Sequence, residues 1–199
     1  MEEIDALWLA RAQKSDPEAF TQIVEYYHRP VFNLCYRMLG DPGEAEDAAQ
    51  ETFLRVYRSI RQYDNSRPFT TWLLSIAAHY CIDQVRKQRM NLISLEDMNF
   101  SEPSDDTPGP EIALSRSEEQ KRVRALLNNL QPLDRAAVVM YYWYDFSYDE
   151  IGQALSLSNR AVKSRLHRAR RDMAQTWINQ NPQAYSMEGS PHGKQSPAY

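Results

Sequence analysis

Apolar residues recur along most of this chain at steps of three and four, and no stretch alternates strictly between apolar and polar for long. That period is the signature of helices packed on one face, so an all-α fold is expected. A short first helix is expected over 3–14. Ser15-Asp16-Pro17-Glu18 then reads as a helix start, with Ser15 as cap and Pro17 in the first turn. Phe20, Ile23, Val24, Tyr27, Val31, Leu34, Cys35 and Met38 form one buried stripe, with Pro30 inside it. Gly40 suits a left-handed helix end, and Asp41-Pro42-Gly43-Glu44 suits a new start with a capping box. The third helix is expected to reach Arg61, with Ala45, Ala48, Thr52, Phe53, Val56, Tyr57 and Ile60 on or near its apolar side. After a polar loop at 63–68, a fourth helix over about 69–89 carries Phe69, Trp72, Leu73, Ile76, Ala77, Tyr80 and Val85.

The pattern breaks at 91–115, where three prolines, one glycine and six acids leave little apolar surface. This segment reads as a flexible linker. A second helical block fills 116–177. Pro132 opens one of its helices, Ser147-Tyr148-Asp149-Glu150 is a capping box, and Leu157-Ser158 turns into a last helix. The organisation expected is a domain over 1–90, a linker over 91–115, a domain over 116–177 and a disordered tail over 178–199.

Composition adds exclusions. With 42% hydrophobic and 25% charged residues in 199, the balance is that of an ordinary soluble chain. Two cysteines exclude a disulfide framework and a zinc site of four thiolates. No dinucleotide fingerprint, P-loop, nucleophile elbow or zinc-protease motif occurs, and the four histidines are scattered. No catalytic residue, metal or cofactor is therefore expected. No apolar run approaches a membrane span, and the acidic N-terminus is unlike a secretory signal. A cytoplasmic location follows, with Cys35 and Cys81 as buried, reduced thiols.

The net charge of −4 looks wrong for a nucleic-acid binder, but it is an average over unlike segments. Residues 1–90 carry −2, 91–115 carry −6 and 116–177 carry +4. Within the last helix, Val162, Leu166, Ala169 and Met173 make a single packing stripe. Arg160, Lys163, Arg165, Arg168, Arg170 and Arg171 occupy the rest, with no acid from 159 to 171. Like charges four apart cost roughly 0.2–0.5 kcal/mol per pair. The pattern makes sense when phosphates supply the counter-charge. After a capped helix and a tight turn, it reads as the second helix of a helix-turn-helix. Lys163, Ser164 and His167 would face the groove, and Arg160, Arg165, Arg168 and Arg171 would meet phosphates.

Two further segments carry alternative readings. The acids Asp41, Glu44, Glu46, Asp47 and Glu51 with Phe53 are either a helix start favoured by its dipole or a face for a basic protein. The aromatics of the fourth helix with Arg86, Lys87 and Arg89 are either a core stripe or a seat for unstacked bases.

The order of these parts resembles bacterial sigma factors of the extracytoplasmic-function (ECF) class. The run from Glu44 to Phe53 is similar to their polymerase-binding signature. Phe69-Thr70-Thr71-Trp72-Leu73 through Asp83-Gln84-Val85-Arg86 resembles the segment that opens the minus-ten element. The stretch from Ser147 to Arg170 resembles the helix-turn-helix that reads the minus-thirty-five element. Ala48, Ala49 and Thr52 are smaller or more polar than the residues usual in the first motif. The resemblance implies a non-enzymatic factor that binds core RNA polymerase, on the clamp helices and flap of its large subunits, and directs it to promoter DNA. It implies polymerase contacts from Glu46, Asp47, Gln50, Glu51 and Phe53. Minus-ten contacts would come from Asn65, Ser66, Arg67, Phe69, Trp72, His79, Arg86, Lys87 and Arg89. Minus-thirty-five contacts would come from Ser158, Arg160, Lys163, Ser164, Arg165, His167, Arg168 and Arg171. An anti-sigma factor is a further implied partner, and no membrane contact is implied. The acidic linker would thread the polymerase cleft. The rival is a free-standing helix-turn-helix repressor or activator, which would have no need of 41–53.

Overall fold

The computed structural model describes residues 4–96 and 111–181. Its order is α1 (Ala6–Gln13), α2 (Pro17–Leu39), α3 (Pro42–Ser59), a 3-10 turn (Ile60–Gln62), α4 (Phe69–Glu96), α5 (Glu111–Asn128), α6 (Pro132–Tyr144), α7 (Tyr148–Leu155) and α8 (Asn159–Gln180). The described residues contain no strand, and the all-α class holds. None of these helices is long and apolar enough to cross a membrane.

The boundaries correct several expectations. The cap of α2 is Asp16, whose carboxylate accepts from the backbone N–H groups of Glu18 and Ala19. A carboxylate reaches two orphan donors and suits the positive helix end, so it displaces the serine. Ser15 instead takes a left-handed conformation at φ 68°. Asp41 caps α3 at 2.8 Å from Glu44 N, but the reciprocal half of the box is absent, because Glu44 accepts from Gln88 at 2.8 Å. Gly40 does end α2 in the left-handed region, at φ 88°. The fourth helix does not stop at 89, and α5 begins before 116, so both edges of the expected linker are helical. Residues 91–96 hold no glycine or proline, and extending a nucleated helix is easy. Linker residues 97–110 and tail residues 182–199 lie outside the described residues, and α8 runs on to Gln180.

The long α2 is the spine of the first domain. Its Ile23, Tyr27, Val31, Leu34, Cys35 and Met38 are buried against α3 and α4. The α3 face is made of Ala45, Ala48, Ala49 and Thr52, all fully buried, and Thr52 Oγ1 donates to Ala48 O at 2.7 Å. Small side chains are what lie between α2 and α3, which accounts for that departure from larger aliphatics. Cys35 and Cys81 are buried free thiols in contact. Their mutual hydrogen bond, followed by burial, pushes the Cys81 thiol up, so it is inert at neutral pH.

In the second domain, α6 is buried from Pro132 to Met140 apart from half-buried Leu133. It packs with Ile151 and Leu155 of α7 and with Val162, Leu166 and Ala169 of α8. The two domains share one continuous hydrophobic cluster, with α6 against α2 and α7 against α4. Periodicity shows that a helix has an apolar face, not which domain covers it.

Candidate nucleic-acid and protein interfaces

The basic helix is set by a fully bonded turn. Ser147 N donates to Glu150 Oε2 at 2.8 Å, and Glu150 N donates to Ser147 Oγ at 3.2 Å, so the expected capping box forms. Ser156 ends α7 in the left-handed region, and Leu157 N returns to Gly152 O at 2.8 Å. A Cβ on Gly152 would lie 2.7 Å from Leu157 O, so this turn closes on a hydrogen atom. Ser158 Oγ then accepts from Ala161 N at 3.3 Å as the cap of α8. Replacing Ser147 by alanine is expected to destabilise this motif by about 1 kcal/mol, read as faster amide exchange in α7.

Val162, Leu166 and Ala169 face inward, as the stripe predicts. Arg160, Lys163, Ser164, His167, Arg168 and Arg171 are exposed. Among the described residues, Arg160, Lys163, Ser164 and His167 make no side-chain hydrogen bond or ion pair with other side chains. Arg171 lies 3.6 Å from Asp172. Two cations are tied to another helix. Arg165 Nη1 donates to Asp134 Oδ1 at 2.6 Å, and Arg168 Nε donates to Asp134 Oδ2 at 3.1 Å. The hydrogen bond to Asp134 raises the Arg168 guanidinium further, so it stays charged.

The second site is the turn before α4. Asp64 accepts from Ser66 N at 2.9 Å and from Ser66 Oγ at 2.8 Å. These bonds hold its carboxyl below the usual range. Tyr63 donates its hydroxyl to Arg67 O. Below the turn, the Tyr63 ring lies 5.2 Å from Phe69 and 5.0 Å from Trp72. Phe69 is 1% exposed, so it is a floor for the loop and presents no surface to a partner, unlike the expectation for it. Asn65, Ser66 and Arg67 are exposed and Trp72 is half-buried. His79 is exposed, with Nδ1 2.8 Å from Ser75 O. Sequence reasoning missed a brace from α1. Gln13 Nε2 donates to Tyr63 O at 2.9 Å, Asn65 Nδ2 donates to Gln13 Oε1 at 3.3 Å, and Arg61 donates to Ser15 Oγ. These partners are about fifty positions apart, and no local pattern signals them.

The basic end of α4 divides. Arg86 and Lys87 are exposed. Arg89 instead donates to Leu130 O at 2.9 Å and to Gln131 Oε1 at 3.2 Å, on the segment between α5 and α6. It is therefore not free for phosphate in this arrangement.

The third site is the outer face of α3. Asp47 and Gln50 are exposed. Glu46 is 3.2 Å from His28, and Glu51 accepts from Arg55 at 2.8 Å. Phe53 is only 7% exposed, because it turns toward α2. The apolar surface comes from Leu54 and Tyr57, 51% and 52% exposed. With Phe20, Val24 and Phe53 they line an open groove of about 380 Å³, rimmed by His28, Glu46 and Gln50. Tyr57, expected on or near the apolar side, is therefore exposed, and Leu54 lies one step off the stripe. Among the described residues no group of three or more His, Cys, Asp and Glu could hold a metal.

The chain matches the family description Sigma-70 region 2 over residues 23–90 and Sigma-70, region 4 over residues 120–173. It is 35% identical over 169 residues to the ECF RNA polymerase sigma factor SigW of Bacillus subtilis, covering 81% of this chain and 90% of that protein. Its fold is similar to that of CnrH, solved in complex with the cytosolic domain of CnrY. The TM-score is 0.64 at 21% identity, over 87% of this chain and 96% of that one. It is also similar to the sigma factor RpoE of Bartonella quintana, solved with the anti-sigma factor NepR. There the TM-score is 0.61 at 22% identity, over 78% of this chain and 94% of that one.

Proposed function

The chain belongs to the ECF RNA polymerase sigma factors, and from that premise we propose how its surfaces divide the work of recognising a promoter. The outer face of α3 docks on the clamp helices of the polymerase. Its acids steer toward a basic partner, and Leu54 and Tyr57 supply the apolar anchor. The 63–68 loop, on its floor of Tyr63, Phe69 and Trp72, receives an unpaired base of the minus-ten element. Arg86 and Lys87 grip the phosphates upstream of it. The exposed face of α8 reads the minus-thirty-five element, with Lys163, Ser164 and His167 toward base edges. Arg160 and Arg171, with Ser158 as the helix cap, hold the backbone.

The observation that carries this reading is the coexistence of the three surfaces in one chain. A repressor would account for α8 but not for the acidic and apolar face of α3. An anti-sigma factor is a further proposed partner, supported by the fold shared with CnrH and RpoE. A cytoplasmic location fits these partners.

The test is run-off transcription with purified chain, core polymerase and promoter DNA. Start-site-specific RNA is expected. Tight sequence-specific DNA binding without polymerase, and no transcript, would support the repressor. On the same promoter, Lys163→Ala should change sequence preference. Arg171→Ala should weaken binding evenly across sequences and lower the salt slope by about one unit. Equal behaviour of the two variants would refute this division of roles.

A further inference from the structure

Asp134 is the most deeply buried acid facing α8, and it lies on a different helix, in the first turn of α6. Its side chain is 3% exposed, and its two oxygens take three N–H groups from two arginines. Arg165 Nη1 reaches Oδ1 at 2.6 Å, Arg168 Nε reaches Oδ2 at 3.1 Å, and Arg168 Nη2 reaches Oδ1 at 3.4 Å. A carboxylate out of water needs such partners, and the N-terminal end of α6 favours its charge. The arginines are not withdrawn with it. The Arg165 and Arg168 side chains keep 28% and 47% of their exposure. One carboxylate between two guanidiniums leaves a net positive charge at the surface of α8.

We propose that Asp134 is a positioning residue for promoter recognition: it fixes the directions of Arg165 and Arg168, so that α8 accepts one register on DNA. The inference rests on the reading of α8 as the minus-thirty-five helix. An arginine free on its long stem finds a phosphate in many registers, which raises affinity without discriminating. An arginine held by a planar, two-oxygen partner has one direction, already set before DNA arrives. Asp134 therefore trades non-specific attraction for specificity. A plain tie between α6 and α8 would have another consequence: its loss would lower stability and weaken all DNA binding together.

Asp134→Asn separates these cases. The probe is full-length chain with core polymerase, on duplexes selected by the wild-type holoenzyme from a randomised minus-thirty-five pool and on a scrambled duplex. Affinity for the scrambled duplex is expected to rise, with a salt slope steeper by up to about one unit. The ratio of selected to scrambled affinity is expected to fall about tenfold. In an Arg165→Gln, Arg168→Gln background the same change should have a much smaller effect, because Asp134 acts through those two side chains. If the Asn variant does not fold, Asp134→Glu keeps the charge, moves it by one methylene, and gives the same readout. An unchanged ratio, or a parallel loss of both affinities with a lower melting temperature, overturns the proposal. A wild-type holoenzyme that selects no sequence overturns the reading of α8, and this inference with it.

Discussion

Leu54→Asp is expected to cut affinity for core polymerase by about 30-fold or more while the protein stays folded. Leu54 is half exposed on the helix face that carries Asp47 and Gln50, and it borders the same groove as Tyr57. An apolar anchor at the centre of an interface is worth about 2 kcal/mol or more, which is the fold-change stated. An aspartate there would also have to be desolvated against the partner. The fold should tolerate it, since exposed helix positions differ by under ~1 kcal/mol among ordinary residues. Asp47→Lys should behave differently. A charge at the rim acts mainly on the association rate, so its effect should shrink as salt is added. Labelled chain titrated with core polymerase measures both variants, with a thermal melt of each as control. An unchanged affinity for Leu54→Asp would remove α3 from the polymerase interface.

The helices and their caps were largely legible because they depend on neighbours in sequence. Ser147 with Glu150, and Gly40 after α2, announce themselves within four residues. The stripes of α2 and α8 were legible for the same reason. The exposed anchor on α3 was not. Phe53, Leu54 and Tyr57 are all large and apolar, and a single stripe does not say which of them α2 will cover. The burial of Phe69 was not legible either, because an aromatic beside a loop can be its surface or its floor. Contacts between distant segments left no local trace. Asp134 and Gln13 belong to no motif in the sequence, although both hold parts of the proposed DNA sites. Arg89 read as a phosphate ligand because a basic helix end looks the same whether it meets DNA or carbonyl groups of its own chain.

Arg135→Ala is expected to destabilise the packed protein by about 2–4 kcal/mol, a fall in melting temperature on the order of 5–15 °C. Helix C-termini leave carbonyl oxygens without partners, and burying them is costly. Here two such ends converge. Arg135 Nη1 donates to Met38 O near the end of α2 at 2.5 Å, and Nη2 donates to Asn128 O at the end of α5 at 2.8 Å. Arg89 adds a bond to Leu130 O at 2.9 Å from the first domain. Burial first, and the charge of Arg89 second, push the Arg135 guanidinium down to about 10. It is still protonated near neutrality in both folded and unfolded chains. The folded state binds fewer protons only between about pH 10 and the ordinary arginine value, and stability would rise with pH only there. The loss on mutation should therefore be the same at pH 6 and pH 8. Relief of that desolvation keeps the expected loss below the sum of the two charged hydrogen bonds. The same contact sets a condition on function. Promoter elements roughly 25 base pairs apart lie ~85 Å apart on the duplex, at about 3.4 Å per base pair. Among the described residues the longest helix, α4 with 28 residues, spans only ~42 Å. With the roles proposed above for the 63–68 loop and α8, reading both elements at once would require the packing of α6 on α2 and α7 on α4 to open, and Arg135 would stabilise the state that promoter binding leaves. Arg135→Ala should accordingly lower the melting temperature of the free chain but leave run-off transcription at moderate temperature intact. Loss of transcription by a variant still folded at that temperature would show that the contact serves the open state as well.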